Sequence, residues 1–179
     1  MKLFIISDIH GSYKYLKKAI NKFNDSGADY LLILGDILYH GARNDLPEEY
    51  NTKKCLALLN EYSEKIIAVR GNCDSEVDQM VLNFNITADY NQLILGDKRL
   101  FMTHGHLYED SLPTLNKGDI YIQGHSHVLK AENSNGIHIL NPGSISLPKE
   151  GNQNTYGIID NKKFKVIDFE GKVILDYEF

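Results

Sequence analysis

Short apolar runs alternate with amphipathic stretches along the first half of the chain. Residues 2–7, 30–34 and 65–69 are almost continuously apolar, which is typical of strands that are buried on both faces. Between them, residues 16–23 and 55–62 repeat apolar side chains at intervals of three and four, and this period predicts helices. Strands that alternate with helices indicate an α/β sheet with helices on at least one face.

The second half of the chain is richer in predicted strands. Residues 92–95 and 99–103 flank Gly96-Asp97, a pair typical of a β-hairpin turn. Further short strands are predicted at residues 119–123 and 137–140, near residue 158, and at residues 164–169 and 173–177. Because neither a repeat nor a low-complexity linker interrupts the sequence, we expect a single domain that spans residues 1–179.

The composition restricts the class of protein and partner. Apolar residues make up 42% of the chain and charged residues 24%, as in globular proteins. A net charge of -5 argues against a broad nucleic-acid-binding surface, although a bound metal could supply positive charge for a nucleotide substrate. No apolar run is long enough for a membrane span or a signal-peptide core. Cys55 and Cys73 form no C-x-x-C pair, so we expect reduced thiols and a cytoplasmic protein.

Residues that can bind a metal follow five of the predicted strands, each beside a glycine. The segments are Asp8-Ile9-His10-Gly11, Gly35-Asp36, Gly71-Asn72-Cys73-Asp74, His104-Gly105-His106 and Gly124-His125-Ser126-His127. Open α/β sheets bind ligands at the carboxyl ends of their strands, and glycine allows close backbone approach. Each segment alone is a weak signal, because such a residue is commonly a cap or a surface residue. Their combination in one chain predicts one shared site.

The side chains in these segments also indicate a class of metal. Imidazole, carboxylate and amide oxygen suit divalent ions such as Mn²⁺, Fe²⁺, Co²⁺ and Zn²⁺. A structural zinc site is disfavoured, because the chain has only 2 cysteines and no thiolate pattern. One carboxylate can bridge two ions that lie about 3.5–4 Å apart.

The same segments resemble the signature of the calcineurin-like metallophosphoesterases. The runs SDIHGS, GNCDSEVDQM, THGH and NPGS are similar, within that superfamily, to the small YfcE-type bacterial phosphodiesterases. The resemblance covers residue 1 to about residue 160. It implies an α/β fold with four layers, an αββα sandwich in which two mixed β-sheets are flanked by helices. The strand pattern is compatible with this fold but does not by itself divide the strands between two sheets.

The resemblance also implies a set of metal ligands. Asp8, His10 and His127 would hold one ion, Asn72, His104 and His125 would hold the other, and Asp36 would bridge the two. The implied cofactors are two divalent ions, with Mn²⁺ favoured and Zn²⁺, Ni²⁺, Co²⁺ or Fe²⁺ as alternatives.

The implied activity is metal-dependent hydrolysis of a small phosphodiester by a hydroxide that bridges the two ions. One alternative is a non-catalytic interaction scaffold with the same fold, similar to the small subunit of retromer. Filled ligand positions argue against it. A second alternative is a nuclease or nucleotide phosphohydrolase, although no basic, aromatic track for a nucleic-acid strand stands out. The β-rich end could also form a contact between identical subunits.

Several residues beside the ligands are candidates for catalysis, in addition to Asp36 and Asn72. Many relatives carry a histidine where this chain has Cys73, and that histidine is usually assigned to protonating the leaving group. A neutral thiol replaces it poorly, so we expect weak activity on esters with basic leaving groups; alternatively, Cys73 is a small buried apolar residue. Asp74 could orient Asn72 or a ligand histidine, or could be a turn or cap residue.

The polar connection after Asp36 supplies candidates for substrate binding. Arg43 could clamp a phosphate with two hydrogen bonds, and Asn44 lies beside it; a lone loop arginine can equally be solvated. His40 and His106 lie next to these segments, and the sequence assigns neither of them a role. Tyr39 stands where the protein phosphatases of the superfamily carry an aspartate, which makes protein phosphatase activity less expected.

Overall fold

The computed structural model of the protein describes residues 1–179 and contains eleven strands and three α-helices. The strands are β1 (Leu3–Ile6), β2 (Tyr30–Ile33), β3 (Ile66–Ala68), β4 (Tyr90–Leu95), β5 (Lys98–Thr103), β6 (Ile120–Ile122), β7 (Lys130–Ser134), β8 (Ile137–Asn141), β9 (Thr155–Asp160), β10 (Lys163–Asp168) and β11 (Val173–Glu178). The helices are α1 (Tyr13–Ser26), α2 (Thr52–Asn60) and α3 (Glu76–Gln79), with a short 3-10 helix at Ser63–Lys65.

The strands form two sheets, and both sheets are mixed. The first has the order β11-β10-β9-β1-β2-β3, with β1, β2 and β3 parallel and the remaining pairs antiparallel. The second has the order β4-β5-β6-β8-β7, with β5, β6 and β8 parallel and both edge pairs antiparallel. The predicted pair of mixed sheets is therefore confirmed.

The largest apolar clusters lie between the sheets and under the helices. Leu3 and Ile5 of β1 face Leu100 and Met102 of β5 in the cluster between the two sheets. On the outer face of the first sheet, the helices pack in a second cluster that includes Leu16 of α1. Burying one such side chain contributes about 1.5–3 kcal/mol.

The outer face of the second sheet has a different cover. Phe101 and Tyr121 are buried there, with Tyr108 and Leu115 packed against them. These two covering residues belong to residues 104–119, which form no helix. The helical layer expected on this side is thus replaced by irregular chain, because this segment contains Gly105, Pro113 and Gly118 and has no apolar period of 3.6.

Most predicted elements occur within two residues of their expected positions, but β7 and α3 were not predicted. β7 reads Lys-Ala-Glu-Asn-Ser and has no apolar pattern; it forms an edge strand through its backbone pairing with β8. Helix α1 ends at Ser26, and Gly27 caps it in the left-handed region at φ 67°. None of the helices is both long and apolar enough to cross a membrane.

The parallel strands bring the predicted segments to one edge of the molecule. Ile6, Ile33 and Ala68, which end β1, β2 and β3, are neighbours in the register of the first sheet. Met102 of β5 and Ile122 of β6 are neighbours in the second sheet, near the ends of their strands. The loops that follow these five strands therefore meet where the two sheets come together.

Candidate metal centre

The seven predicted ligands converge at this edge of the two sheets. Asp8 and His10 follow β1, Asp36 follows β2, Asn72 follows β3, His104 follows β5, and His125 and His127 follow β6. All are buried except His125, which is half-buried, and Asn72, which is exposed. The sequence analysis therefore located side chains that the fold brings together although they lie far apart in the chain, as His10 and His127 do at a separation of 117 positions.

Three of the side chains form one group. The Oδ1 atom of Asp8 lies 3.2 Å from Nε2 of His127 and 3.9 Å from Nε2 of His10. The two imidazole Nε2 atoms lie 3.4 Å apart. This spacing allows three ligand atoms to surround one cation, since all three lie within 4.8 Å of one another.

A second group lies beside the first, with Asp36 between them. Nε2 of His104 lies 3.0 Å from Oδ1 of Asn72 and 3.2 Å from Nδ1 of His125. The Oδ2 atom of Asp36 lies 3.6 Å from Nε2 of His10 in the first group and 3.5 Å from Nε2 of His104 in the second. Asp36 thus occupies the position expected of a bridging carboxylate.

Hydrogen bonds to the far side of each ring fix the tautomers of the histidines. The Nδ1–H groups of His10, His104 and His127 donate to the carbonyls of Tyr39 (2.9 Å), Leu34 (2.6 Å) and Leu147 (2.5 Å), respectively. When the ring is neutral, each Nε2 atom is then left with its lone pair facing the site, as metal-binding histidines require.

His125 presents Nδ1, and not Nε2, to the site. Its Nε2–H donates to Oε1 of Glu109 at 2.8 Å, and its Nδ1 faces His104. Glu109 belongs to none of the strand-end motifs and follows no strand directly, so the sequence offered no signal for it.

Each of the two carboxylates presents one free oxygen to the site. Oδ2 of Asp8 accepts from Oγ of Ser7 at 2.6 Å, whereas its Oδ1 is buried without a hydrogen-bond partner. Oδ1 of Asp36 accepts from the backbone N–H of Cys73 at 2.8 Å, which leaves Oδ2 between the two groups of histidines. A buried, unpaired carboxylate oxygen is unfavourable in the protein alone, and a cation satisfies it. The residues therefore fit bound metal.

The backbone at the site is strained and held by its surroundings. Asp8, His10, Asp36, His125 and His127 all have a positive φ, between 48° and 63°. Such conformations cost of order 1 kcal/mol or more for each residue with a side chain, and they concentrate at functional sites.

Asp74 holds one of these strained turns. Its carboxylate accepts from the backbone N–H groups of Asp36 (2.9 Å), Ile37 (2.8 Å) and Gly71 (2.8 Å). It therefore supports the backbone of Asp36 and makes no hydrogen bond to Asn72 or to a histidine. Of the two roles that the sequence left open for Asp74, the structure shows that of a turn residue. Oγ of Ser146 plays a similar part, donating to the carbonyl of Asp8 at 2.8 Å.

The electrostatics of the site favour charged carboxylates and a protonated His104. Burial alone would raise the pKa of Asp8 and of Asp36, but the neighbouring imidazoles of His127 and His104, respectively, hold both pKa values below the usual range. Burial likewise opposes the charge on His104, yet Asp36 and Asp8 raise its pKa to about 9. The site attracts cations, and His104 must lose a proton before it can bind one.

A cleft of about 900 Å³ opens onto this centre. Arg43 and Asn44, the residues predicted to bind substrate, both line it, and Nδ2 of Asn44 donates to the carbonyl of His40 at 2.9 Å. Lys149 also lines the cleft and was missed, because it follows no strand-end motif. Neither Arg43 nor Lys149 forms an ion pair within the protein, so both charges are free to meet an anion.

Cys73 lines the same cleft, half-buried, beside the metal-ligand candidates. Its Sγ lies 3.3 Å from Nδ2 of Asn72. Burial, assisted by the charge of Asp36, raises the pKa of the Cys73 thiol to about 12, so the thiol is neutral at physiological pH. His40 and His106 each keep a buried Nδ1 without a hydrogen-bond partner and belong to neither group of ligands.

Comparison with known proteins relates this site to a family. Residues 1–163 match the family model of the calcineurin-like phosphoesterase superfamily domain. "Phosphodiesterase YfcE" of Escherichia coli strain K12 is 50% identical over 176 residues, which cover 98% of this chain and 96% of that protein. "Phosphodiesterase MJ0936" of Methanocaldococcus jannaschii is 28% identical over 174 residues, which cover 91% and 95% of the two chains.

A solved structure agrees with the sequence comparison. The structure described as Yfce, a phosphoesterase from E. coli, superposes with a TM-score of 0.97 at 49% identity and covers 99% of both chains. The match includes both sheets and all five loops that carry the site, since it leaves almost no part of the chain outside. The family model, the sequence identity and the superposition together show that the chain belongs to the calcineurin-like phosphoesterase superfamily.

Proposed function

We propose that the protein is a metal-dependent phosphodiesterase that hydrolyses a small phosphodiester. The observation that carries the proposal is the convergence of seven side chains that can bind metal, four of which, Asp36, Asn72, His125 and His127, line an open cleft. The name of the E. coli relative, a phosphodiesterase with half of its residues in common, supports the same class of reaction.

Two divalent ions are the cofactors in this proposal. Asp8, His10 and His127 would hold one ion, Asn72, His104 and His125 would hold the other, and Asp36 would contact both. When bound, such ions make a nucleophile available from water at neutral pH and offset the negative charge of the phosphate. Mn²⁺ is the favoured metal, and the same donors suit Zn²⁺, Ni²⁺, Co²⁺ and Fe²⁺.

The protein's own residues position the substrate and maintain the site. Arg43, Asn44 and Lys149 bind the non-bridging oxygens of the phosphate from the wall of the cleft, where the two cations are unpaired. Asp74 keeps the Asp36 turn in place, and Cys73 lies near the departing alcohol without supplying a strong acid.

Release of p-nitrophenol from bis(p-nitrophenyl) phosphate tests this function. The purified protein, stripped of metal and reloaded with Mn²⁺, Ni²⁺, Co²⁺ or Zn²⁺, should hydrolyse the diester with at least one of them. Absence of turnover with all four, while the metals bind, would favour the scaffold alternative. Faster hydrolysis of nucleoside triphosphates than of any diester would favour a nucleotide phosphohydrolase.

The number of domains, the cellular location and the oligomeric state of the enzyme are proposed from other observations. The apolar cluster between the two sheets joins strands from residue 3 to residue 166, which supports one domain. Cys55 and Cys73 are both free thiols, which supports a reducing cytoplasm. A homo-oligomer formed through the β-rich end stays a prediction, to be checked by light scattering.

Metal loading should release protons. With the pKa of His104 near 9, its imidazole is protonated at pH 7, and metal binding must displace about one proton there. Below pH 9 a proton competes with the metal for the imidazole of His104. The affinity for Mn²⁺ should therefore rise with pH between 6.5 and 8. Calorimetric titration of Mn²⁺ at pH 7 in two buffers of different ionisation enthalpy measures the release. Equal heats in both buffers would contradict it.

Replacement of Cys73 by histidine should improve the enzyme on unactivated esters. Histidine titrates near neutral pH and can protonate a basic leaving group, a contribution of about 100-fold or more where the geometry is right. Alkyl phosphodiesters should gain the most, and bis(p-nitrophenyl) phosphate, whose leaving group needs little protonation, should gain less. Cys73→Ser is the matched control, since it restores no acid. Equal rates for Cys73→His and the native enzyme, with metals bound, would leave Cys73 only a packing role.

Neutralising the two cleft cations should weaken substrate binding without stopping the reaction. Arg43→Gln and Lys149→Gln should each raise KM for a diester by about tenfold, the effect of one charge-assisted hydrogen bond, and change kcat less. Lys172→Gln serves as the control because Lys172 is exposed and does not line the cleft. An unchanged KM in both cleft variants would show that these two side chains do not contact the phosphate.

A further inference from the structure

A second cavity, of about 390 Å³, opens beside the metal centre against the outer face of the second sheet. We refer to it as the side cavity. Glu109, His125 and Ser126 line both the side cavity and the cleft, so a molecule bound at the metal centre can extend from one into the other. The volume of the side cavity lies within the range of small-molecule sites, about 300–1,000 Å³. Binding of the phosphate in the cleft leaves the side cavity free for another part of a ligand.

The floor of the side cavity is suited to a flat ring. Tyr108 and Tyr121 contribute two aromatic rings arranged edge to face at 6.4 Å, and the side chains of Leu112 and Ile139 complete the apolar wall. Aromatic and branched aliphatic walls bind apolar or aromatic groups by excluding water and by ring packing.

One polar side chain of the side cavity has a hydrogen-bond donor that the protein does not use. Oε1 of Gln123 accepts from the hydroxyl of Tyr121 at 3.0 Å, which fixes the plane of the Gln123 amide. Its amide nitrogen donates to no group of the protein, although Gln123 lines the side cavity. A ligand with a hydroxyl, carbonyl or ring nitrogen can accept that hydrogen bond.

The side cavity lacks the unpaired cations of the cleft. Glu109 and Asp110 line it, and its one cation, Lys130, is paired with Glu132 at 2.8 Å. The side cavity therefore disfavours a second phosphate or carboxylate, whereas the cleft has two unpaired cations for the phosphate that reacts.

We propose that the side cavity binds one of the two alcohol arms of the phosphodiester and selects an uncharged arm that carries a ring, such as an aryl or nucleoside alcohol. The proposal rests on the proposed function, because it takes the metal centre as the place where the phosphate binds. A phosphodiester has two arms, and two spaces adjoin this centre. The walls, the free amide and the charge all favour a neutral ring in the side cavity.

Calorimetry on the Mn²⁺-loaded protein tests the proposal with methylphosphonate and phenylphosphonate as probes. Both place the same anion at the metal centre, and only the second adds a ring. The native protein should bind phenylphosphonate about tenfold more tightly, the effect expected for burying part of an apolar ring. 4-Carboxyphenylphosphonate, which adds a charge to the ring, should bind more weakly than phenylphosphonate.

Two tryptophan variants locate the effect. Leu112→Trp fills the side cavity and should abolish the preference for phenylphosphonate while leaving the Kd of methylphosphonate within about twofold. Leu107→Trp is the matched control, since Leu107 lies on the same segment, is 52% exposed and does not line the side cavity. It should keep the preference.

Equal affinities for the two probes in the native protein, or a preference that persists in Leu112→Trp, would overturn the proposal. The measurement needs no turnover, so its outcome is independent of the hydrolysis assay that tests the proposed function. A protein that prefers phenylphosphonate but hydrolyses no diester would retain the side cavity as a ring-binding site and lose the proposed reaction.

Discussion

Asp36→Asn should lower kcat/KM for bis(p-nitrophenyl) phosphate by about 1,000-fold or more, equivalent to ~4 kcal/mol of transition-state stabilisation. The asparagine oxygen can still accept from the backbone N–H of Cys73, so the turn keeps its hydrogen bond at 2.8 Å in the native enzyme. The change removes the charge whose Oδ2 lies between His10 and His104, at 3.6 Å and 3.5 Å. The bound metal per protein should fall together with the activity.

Asp168→Asn separates this effect from the general loss of a buried carboxylate. Asp168 is also buried, and its Oδ1 accepts from the backbone N–H groups of Glu170 and Lys172 at the turn after β10. Because Asp168 lines neither the cleft nor the side cavity, its variant should keep metal content and activity within about twofold while losing some stability. Full activity of Asp36→Asn in metal-defined buffer would exclude Asp36 as the bridging ligand.

The sequence predicted which side chains converge because candidate metal ligands carry two signals at once. Their chemistry is visible in the residue types, and the parallel strands place each of them at a strand end next to glycine. Asp8, for example, follows an apolar strand that can only be buried, and so its position at the sheet edge follows from the pattern alone. The expectation of two sheets came only from the resemblance, since periodicity shows burial and not pairing, and the structure alone shows how the strands are divided between them.

The residues that the sequence did not reveal act through contacts between distant segments. Glu109 meets His125 only because irregular chain covers the second sheet, and Lys149 reaches the cleft from the loop after β8. β7 pairs through its backbone and needs no apolar side chains at the edge of a sheet. For Asp74 the sequence left an orienting role and a turn role open, because no side-chain pattern reports the three backbone N–H groups that it binds.

The backbone around Asp36 links the stability of the fold to the geometry of the centre. Two glycine-containing turns, at Gly35-Asp36 and Gly71-Asn72, touch each other and are fastened together by the carboxylate of Asp74. A Cβ atom on Gly71 would lie 2.1 Å from Oδ1 and 2.3 Å from the backbone nitrogen of Asp36, closer than any real contact. Glycine is therefore required at residue 71 by the approach of Asp36, and not by its own φ, which is not in the left-handed region.

Gly71→Ala should consequently damage activity and stability together. To make room for the methyl group, Asp36 must move away from its position between the two groups of histidines, and a displacement of about 1 Å at a reacting centre can lower the rate about 100-fold. Overpacking of this kind should also lower the free energy of unfolding by about 1–3 kcal/mol. Diester hydrolysis measures the activity, metal analysis measures the bound metal, and guanidinium denaturation measures the free energy of unfolding of the same preparation.

The control is Gly151→Ala, at φ 74° with nothing within 4 Å of the added methyl group. This change should cost only about 1 kcal/mol of stability and leave hydrolysis unchanged. If Gly71→Ala kept native activity with native metal content, the approach of the two turns could not be what positions Asp36, and the link between this packing and the chemistry would be lost.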